Sequence, residues 1–156
     1  MCIVQGRSTL TNRYTLILPQ SLYQALLDHA LSERPNECCG LLAGTRSEDI
    51  ARVRRHFPLV NAAKQPEIEY LSEPRSILAA SRAIRAAGLE EVAVYHSHPT
   101  SEAVPSRKDC GQNAYGDWLM HLIISLKTGQ PTLRGWWLYE NRFEEGKWEI
   151  AEDEAG

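Results

Sequence analysis

The stretch that most limits what this chain can fold into is Val92 to Asp109, VAVYHSHPTSEAVPSRKD. It opens on Val92-Ala93-Val94-Tyr95, a short apolar run of the kind that becomes a buried strand. His96 and His98 follow. Side chains on a strand repeat every two residues, so both imidazoles face one side. Pro99 has no N–H to give to a ladder and ends the strand. Pro105-Ser106 and then Asp109 complete the stretch. Two histidines and a carboxylate are ligand types that zinc accepts, and three protein ligands leave a fourth tetrahedral position for water. Each part has a plainer account when taken alone. An H-x-H pair can be two polar residues on a solvated face, and Ser106-x-x-Asp109 has the form of a helix capping box. What favours metal is the conjunction of all five residues directly after a buried strand.

The rest of the chain supplies partners for that strand. Thr15 to Leu18 reads as a strand, and Pro19 suits the start of a helix. Leu22, Ala25, Leu26, Ala30 and Leu31 recur at helical spacing, which predicts an amphipathic helix over 20–33, stopped by Arg34-Pro35-Asn36. Glu37 to Ala43 reads as a strand, small and apolar on both faces. A glutamate at its mouth either sits at an exposed strand end or has a task, because an unpaired buried carboxylate is costly. A turn over Gly44 to Asp49 leads to a half-exposed strand, Ile50 to Leu59, then a loop, Asn61 to Pro66, and a short strand, Glu67 to Leu71. A second helix is expected from Pro74 to Ala87, with Gly88 as its stop, and the central strand from about Glu91. After the motif come a short helix over Ser106 to Ala114 and an apolar strand over Trp118 to Leu126. Leu133 to Glu140 and Phe143 to Ile150 read as two last strands, around a turn at Asn141-Arg142 or one containing Glu145-Gly146. The fold class is α/β, a mixed sheet flanked by helices. Its organisation is a flexible or edge-strand lead over 1–13, one domain over 14–150 and a frayed acidic tail over 151–156.

Composition narrows the function. With 156 residues and net charge −3 there is no basic run, and Arg52, Arg54 and Arg55 mark the solvated face of a strand, so nucleic acid is not the expected partner. No stretch has the length of a membrane span, and no secretory signal is visible. Four cysteines, at 2, 38, 39 and 110, are too few for a disulfide scaffold. The adjacent pair suits a reducing compartment, so cytoplasmic residence is expected. Cys38 and Cys39 point to opposite faces of their strand and do not readily share one ion. His29 and His56 read as surface residues, and His121 as a hydrogen-bonded core histidine. Trp118, Trp136, Trp137 and Trp148 read as core and sheet packing, and Glu102 as a solvated loop residue.

His96, His98, Pro99, Ser106 and Asp109 match, position for position, the H-x-H-P-x6-S-x2-D motif of the JAMM (JAB1/MPN/Mov34) metalloproteases. Glu37, in Asn36-Glu37-Cys38-Cys39-Gly40-Leu41-Leu42-Ala43-Gly44, is similar to that family's upstream glutamate. The resemblance runs from about Pro19 to Trp137. It implies a cytidine-deaminase-like core and one zinc ion per chain on His96, His98 and Asp109. It also implies Glu37 as general base and Ser106 as the donor that stabilises the oxyanion. The short single-domain bacterial members it resembles cut an amide at the C-terminal diglycine of a ubiquitin-like or sulfur-carrier protein. Such a thin tail is expected to lie as an added strand beside an exposed sheet edge near the metal. The alternatives are a non-catalytic MPN-type protein-binding module, as in family members that have lost ligands, and a RadC-like nucleic-acid-associated protein. This chain lacks the helix-hairpin-helix-like lead and basic surface of the latter. The sequence sets no oligomeric state.

Overall fold

The computed structural model describes residues 13–154. The expected lead over 1–13 falls, apart from Arg13, outside the described residues. The described strands are β1 (Thr15–Pro19), β2 (Cys39–Arg46), β3 (Ile50–Leu59), β4 (Glu90–His98), β5 (Met120–Ser125), β6 (Thr132–Leu138), β7 (Phe143–Gly146) and β8 (Trp148–Ala151). The helices are α1 (Gln20–Glu33), α2 (Pro74–Ala86) and α3 (Arg107–Gly111).

All eight strands join one mixed sheet in the order β7-β6-β5-β4-β2-β3-β1-β8. The pairs β1–β3, β1–β8 and β4–β5 are parallel, the others antiparallel. The two ends of that order are one chain segment, since only Lys147 separates β7 from β8. The sheet therefore curls until its edges are bridged by a single bent strand, which removes the long free edges that invite unwanted pairing. Of the two turn positions expected, Asn141-Arg142 does separate β6 from β7, and Phe143 to Ile150 is also divided, one residue beyond the Glu145-Gly146 alternative. It breaks at Lys147, whose carbonyl accepts from Leu16 N–H, and its second half crosses to β1.

The inner face of the curl holds the larger core. Leu16, Leu18, Met120, Leu122, Ile124 and Trp137 pack there against Leu26, Leu27 and Ala30 of α1. The outer face carries α2, whose Ala80 and Ile84 cover Cys39, Leu41, Ala43 and Val94. Cys38 and Cys39 fall into different cores, as period-two alternation demands.

Several expectations need correction. Glu67 to Leu71 is not a strand. It is a turn and extended loop tied back by one bridge, Asn61 to Ser72, because Asn61 takes the backbone groups a ladder would have used. The motif helix stops at Gly111 and does not reach Ala114. The apolar strand over Trp118 to Leu126 narrows to Met120–Ser125. Trp118 lies outside it and is 62% exposed, so it does not pack in the core. The acidic tail is not wholly frayed: Ala151 completes β8, and Asp153 Oδ1 accepts from Ser21 N–H and Oγ at 3.0 Å, filling the capping role that Pro19 cannot. Among the described residues no helix is long and apolar enough to cross a membrane.

Candidate metal centre

Strand β4 lies in the sheet interior, between β2 and β5, and its C-terminal end carries His96 and His98. Both are buried, on the outer face. Ser97 between them points to the other face, where its hydroxyl accepts from Cys38 N–H at 2.8 Å, while Ser97 N–H donates to the Cys38 carbonyl at 3.1 Å. The β2–β4 register pairs Cys39 with His96, so it sets Cys38 opposite Ser97 and Glu37 opposite His98. Alternation then brings the glutamate to the face of the histidines although fifty-nine positions separate Glu37 from His96.

Asp109 arrives from α3. Ser106 caps that helix: its Oγ accepts from Asp109 N–H at 3.1 Å, and Ser106 N–H donates to Asp109 Oδ2 at 2.8 Å. The capping box and the site are one device, because the carboxylate that closes the box also faces both imidazoles. His96 Nε2 lies 3.2 Å from Asp109 Oδ1, His98 Nε2 3.2 Å from Asp109 Oδ2, and the two Nε2 atoms are 3.1 Å apart. A tetrahedral ion with bonds of about 2.0–2.1 Å keeps its ligand atoms roughly 3.3 Å apart. The three side chains thus fit a divalent cation, with no cysteine among them.

The surroundings suit that fit. His98 Nδ1 faces the Glu102 carbonyl at 2.7 Å, so Nδ1 carries the proton and Nε2 offers its lone pair inward. Tyr70 stacks on the His96 ring at 4.5 Å between centroids. Burial opposes the charge on Asp109, but His96, His98 and the Ser106 N–H outweigh it and hold the carboxyl well below the usual carboxylate range. Burial also works against a charged His98, yet Asp109 and the Glu102 carbonyl raise its pKa.

Glu37 is 6% exposed, and its Oε1 has no hydrogen-bond partner among the described residues. Burial pushes its carboxyl up to about 8, with His98 pulling it down and Asp109 and Glu69 adding to the rise. The strand starts two residues later than expected, so Glu37 precedes the ladder. Its backbone is held instead by Pro66, whose carbonyl accepts from Glu37 N–H at 2.7 Å, and by Asn61 Nδ2, which donates to the Glu37 carbonyl at 2.9 Å. Asn61, Tyr70, Ser97 and the Glu102 carbonyl escaped sequence reasoning. An asparagine opening a loop gave a weak signal for Asn61, and nothing local marked the others.

The remaining histidines differ from expectation. His29 and His56 are half-buried and meet at one hydroxyl, with His29 Nδ1 at 2.7 Å and His56 Nε2 at 2.6 Å from Tyr95 Oη. His121 is in the core as expected, but neither ring nitrogen has a hydrogen-bond partner among the described residues, and burial pushes its imidazolium down to about 3. The expected sheet edge beside the metal is absent. β2 and β4 are both paired on both sides, and the surface next to Asp109 is instead a groove of about 520 Å³ between loop residues 63–72 and 108–115.

A family model described as prokaryotic homologs of the JAB domain matches residues 19–139. Over 96 residues the chain is 38% identical to a CysO-cysteine peptidase of Mycobacterium tuberculosis, a match covering 62% of this chain and 64% of that protein. Over 125 residues it is 33% identical to a desampylase of Haloferax volcanii, covering 78% and 87% of the two. A solution structure of a Desulfitobacterium hafniense protein superposes with a TM-score of 0.80 at 31% identity, covering 89% of this chain and 94% of that one.

Proposed function

The chain belongs to the prokaryotic homologues of the JAB domain, and on that footing we propose that it is a zinc-dependent peptidase or isopeptidase. The amide it hydrolyses lies at the C-terminal diglycine of a ubiquitin-like or sulfur-carrier protein. Names of relatives, a CysO-cysteine peptidase and a desampylase, support that substrate class. The observation that carries the reading is the convergence of His96, His98 and Asp109 beside a buried Glu37 with an unpartnered oxygen.

His96 Nε2, His98 Nε2 and Asp109 hold the ion. Bound there, it supplies Lewis acidity, bringing the pKa of water toward neutrality and polarising a carbonyl. Glu37 handles the proton. As the carboxylate it can take a proton from the attacking water at Oε1, becoming neutral, and return that proton to the leaving amine; burial, which raises its pKa to about 8, favours the protonated form it holds between the two transfers. The Ser106 hydroxyl is exposed and uses its lone pair to accept from Asp109 N–H, so its own O–H remains to donate to the oxyanion of the attacked carbonyl. The groove beside Asp109 takes the thin tail that an interior strand cannot accept as a neighbour. The three described cysteines are unpaired thiols, in keeping with a reducing cytoplasm.

The test is incubation with candidate ubiquitin-like proteins bearing C-terminal extensions, read by intact mass, with and without chelator. The expected result is a product ending at the diglycine, formed by protein carrying about one zinc per chain and lost with chelator. Cleavage that persists in metal-free protein would remove the reading.

A further inference from the structure

Five buried side-chain atoms among the described residues have no protein hydrogen-bond partner, and three of them belong to two imidazoles: His96 Nδ1, His121 Nδ1 and His121 Nε2. Buried polar atoms are nearly always paired, so such a cluster calls for an account. The two rings share a surface. β4 and β5 run parallel with Val94 opposite His121 and His96 opposite Ile123, so His96 and His121 occupy the same face of adjacent strands two positions apart. That diagonal is within reach of ring side chains. Both are almost wholly buried.

We propose that His121 is a positioning residue for His96, joined to its Nδ1–H through one buried water, so that His96 Nε2 presents its lone pair to the metal centre. His98 already has such a device in the Glu102 carbonyl. Among the described residues His96 Nδ1 has no such partner, and the Tyr70 ring stacked on its face fixes the plane of the imidazole but not which nitrogen bears the proton. A neutral His121 offers one acceptor and one donor, enough to hold a water that accepts from His96 Nδ1–H. The inference rests on His96 being a metal ligand, as proposed above.

The experiment compares the wild type with His121→Leu and His121→Gln. Zinc affinity is measured by chelator competition, and the ring N–H protons by 15N NMR of the zinc-loaded proteins. Outer partners of metal-bound histidines typically contribute about 10–100-fold to metal affinity. His121→Leu is expected to lose affinity by that factor with a modest fall in melting temperature, because the buried His96 Nδ1–H is left without its partner. His121→Gln, which keeps a donor and an acceptor, should recover most of the loss. In the zinc-loaded wild type, the His96 Nδ1–H should exchange slowly with solvent, as a proton in a buried hydrogen bond does; this readout stands even where the leucine variant does not fold, and rapid exchange there would overturn the inference. Zinc bound within twofold of wild type by His121→Leu, or a glutamine variant as weak as leucine, overturns the inference and leaves the metal centre standing. A wild type that binds no zinc overturns the metal centre and this inference with it.

Discussion

Tyr95 and His96 are consecutive residues of one strand and lead into opposite worlds. On the inner face the Tyr95 hydroxyl sits between His29 and His56 at 2.7 and 2.6 Å, and Gly40 leaves room for its ring, since a Cβ there would lie 2.3 Å from it. One hydroxyl donates to one imidazole and accepts from the other, so that cluster is complete as it stands. On the outer face two imidazole nitrogens confront each other at 3.1 Å, and a buried carboxylate oxygen has no partner. Both clusters contain two histidines on the same scaffold. The inner one spends its hydrogen-bonding capacity on the fold, whereas the outer one keeps its lone pairs pointed at a shared centre. Unspent, convergent lone pairs mark the site, and histidine content alone does not.

The sharpest way to break this contrast is to remove one member from each side. Asp109→Ala should abolish zinc binding and reduce turnover to background, because it deletes a ligand and leaves His96 and His98 without their counter-charge. Metal content by elemental analysis and cleavage by intact mass check it. Glu37→Gln should separate holding from chemistry. Its neutral amide cannot carry a proton, yet it has nearly the volume of the acid. Zinc should stay near one per chain while the rate falls roughly 10²–10⁴-fold. Wild-type turnover in that variant would take Glu37 out of the mechanism.

The outer cluster was far more legible in the sequence than the inner one, and the reason is spacing. His96, His98, Ser106 and Asp109 sit on a strand end and the capping turn that follows it, so local periodicity and capping chemistry place them almost without tertiary information. Glu37 needed the β2–β4 register and came only through resemblance to a family motif. His29, His56 and Tyr95 come from α1, β3 and β4 and meet only when the sheet curls, so each looked like an ordinary surface or strand residue. The splitting of the last strand at Lys147 and the capping of α1 by Asp153 are likewise long-range facts. The loop from Asn61 to Ser72 carries a strand-like pattern over Glu67 to Leu71 but forms no strand. Its alternation resembles one, while its backbone partners are the Asn61 side chain and Glu37.

A pH experiment tests the same contrast in metal-free protein. The Glu37 carboxyl, ordinarily near 4.5, is pushed up to about 8 by burial. Between those values the unfolded chain releases the proton and the folded chain keeps it. The folded state therefore binds more protons, and its stability falls as pH rises through that window, levelling off above about 8. Each unit of such a shift corresponds to about 1.4 kcal/mol. Denaturation of wild type and Glu37→Gln side by side should show a difference that grows from pH 5 to pH 8 in favour of the glutamine variant. Saturating zinc should shrink it, since a bound dication favours the charged carboxylate. Parallel stability curves across that range would mean that Glu37 is solvated in the free protein.

The smallest effect belongs to the inner cluster, and its smallness is what it tests. His56→Phe removes one of the two imidazoles at the Tyr95 hydroxyl and keeps an aromatic ring in a half-buried place on β3. Tyr95 retains His29, so the loss should be about one hydrogen bond, roughly 1 kcal/mol. For a domain of this size that lowers the melting temperature by about 2–4 °C. Zinc affinity and kcat/KM should stay within twofold, because the sheet lies between this cluster and the ligands, and the strand carrying both is held on either side by β2 and β5. A tenfold fall in zinc affinity with only that modest loss of stability would show the two faces to be coupled through β4. Tyr95 would then belong with the groups that aim His96, and the division between a spent cluster and a waiting one would no longer hold.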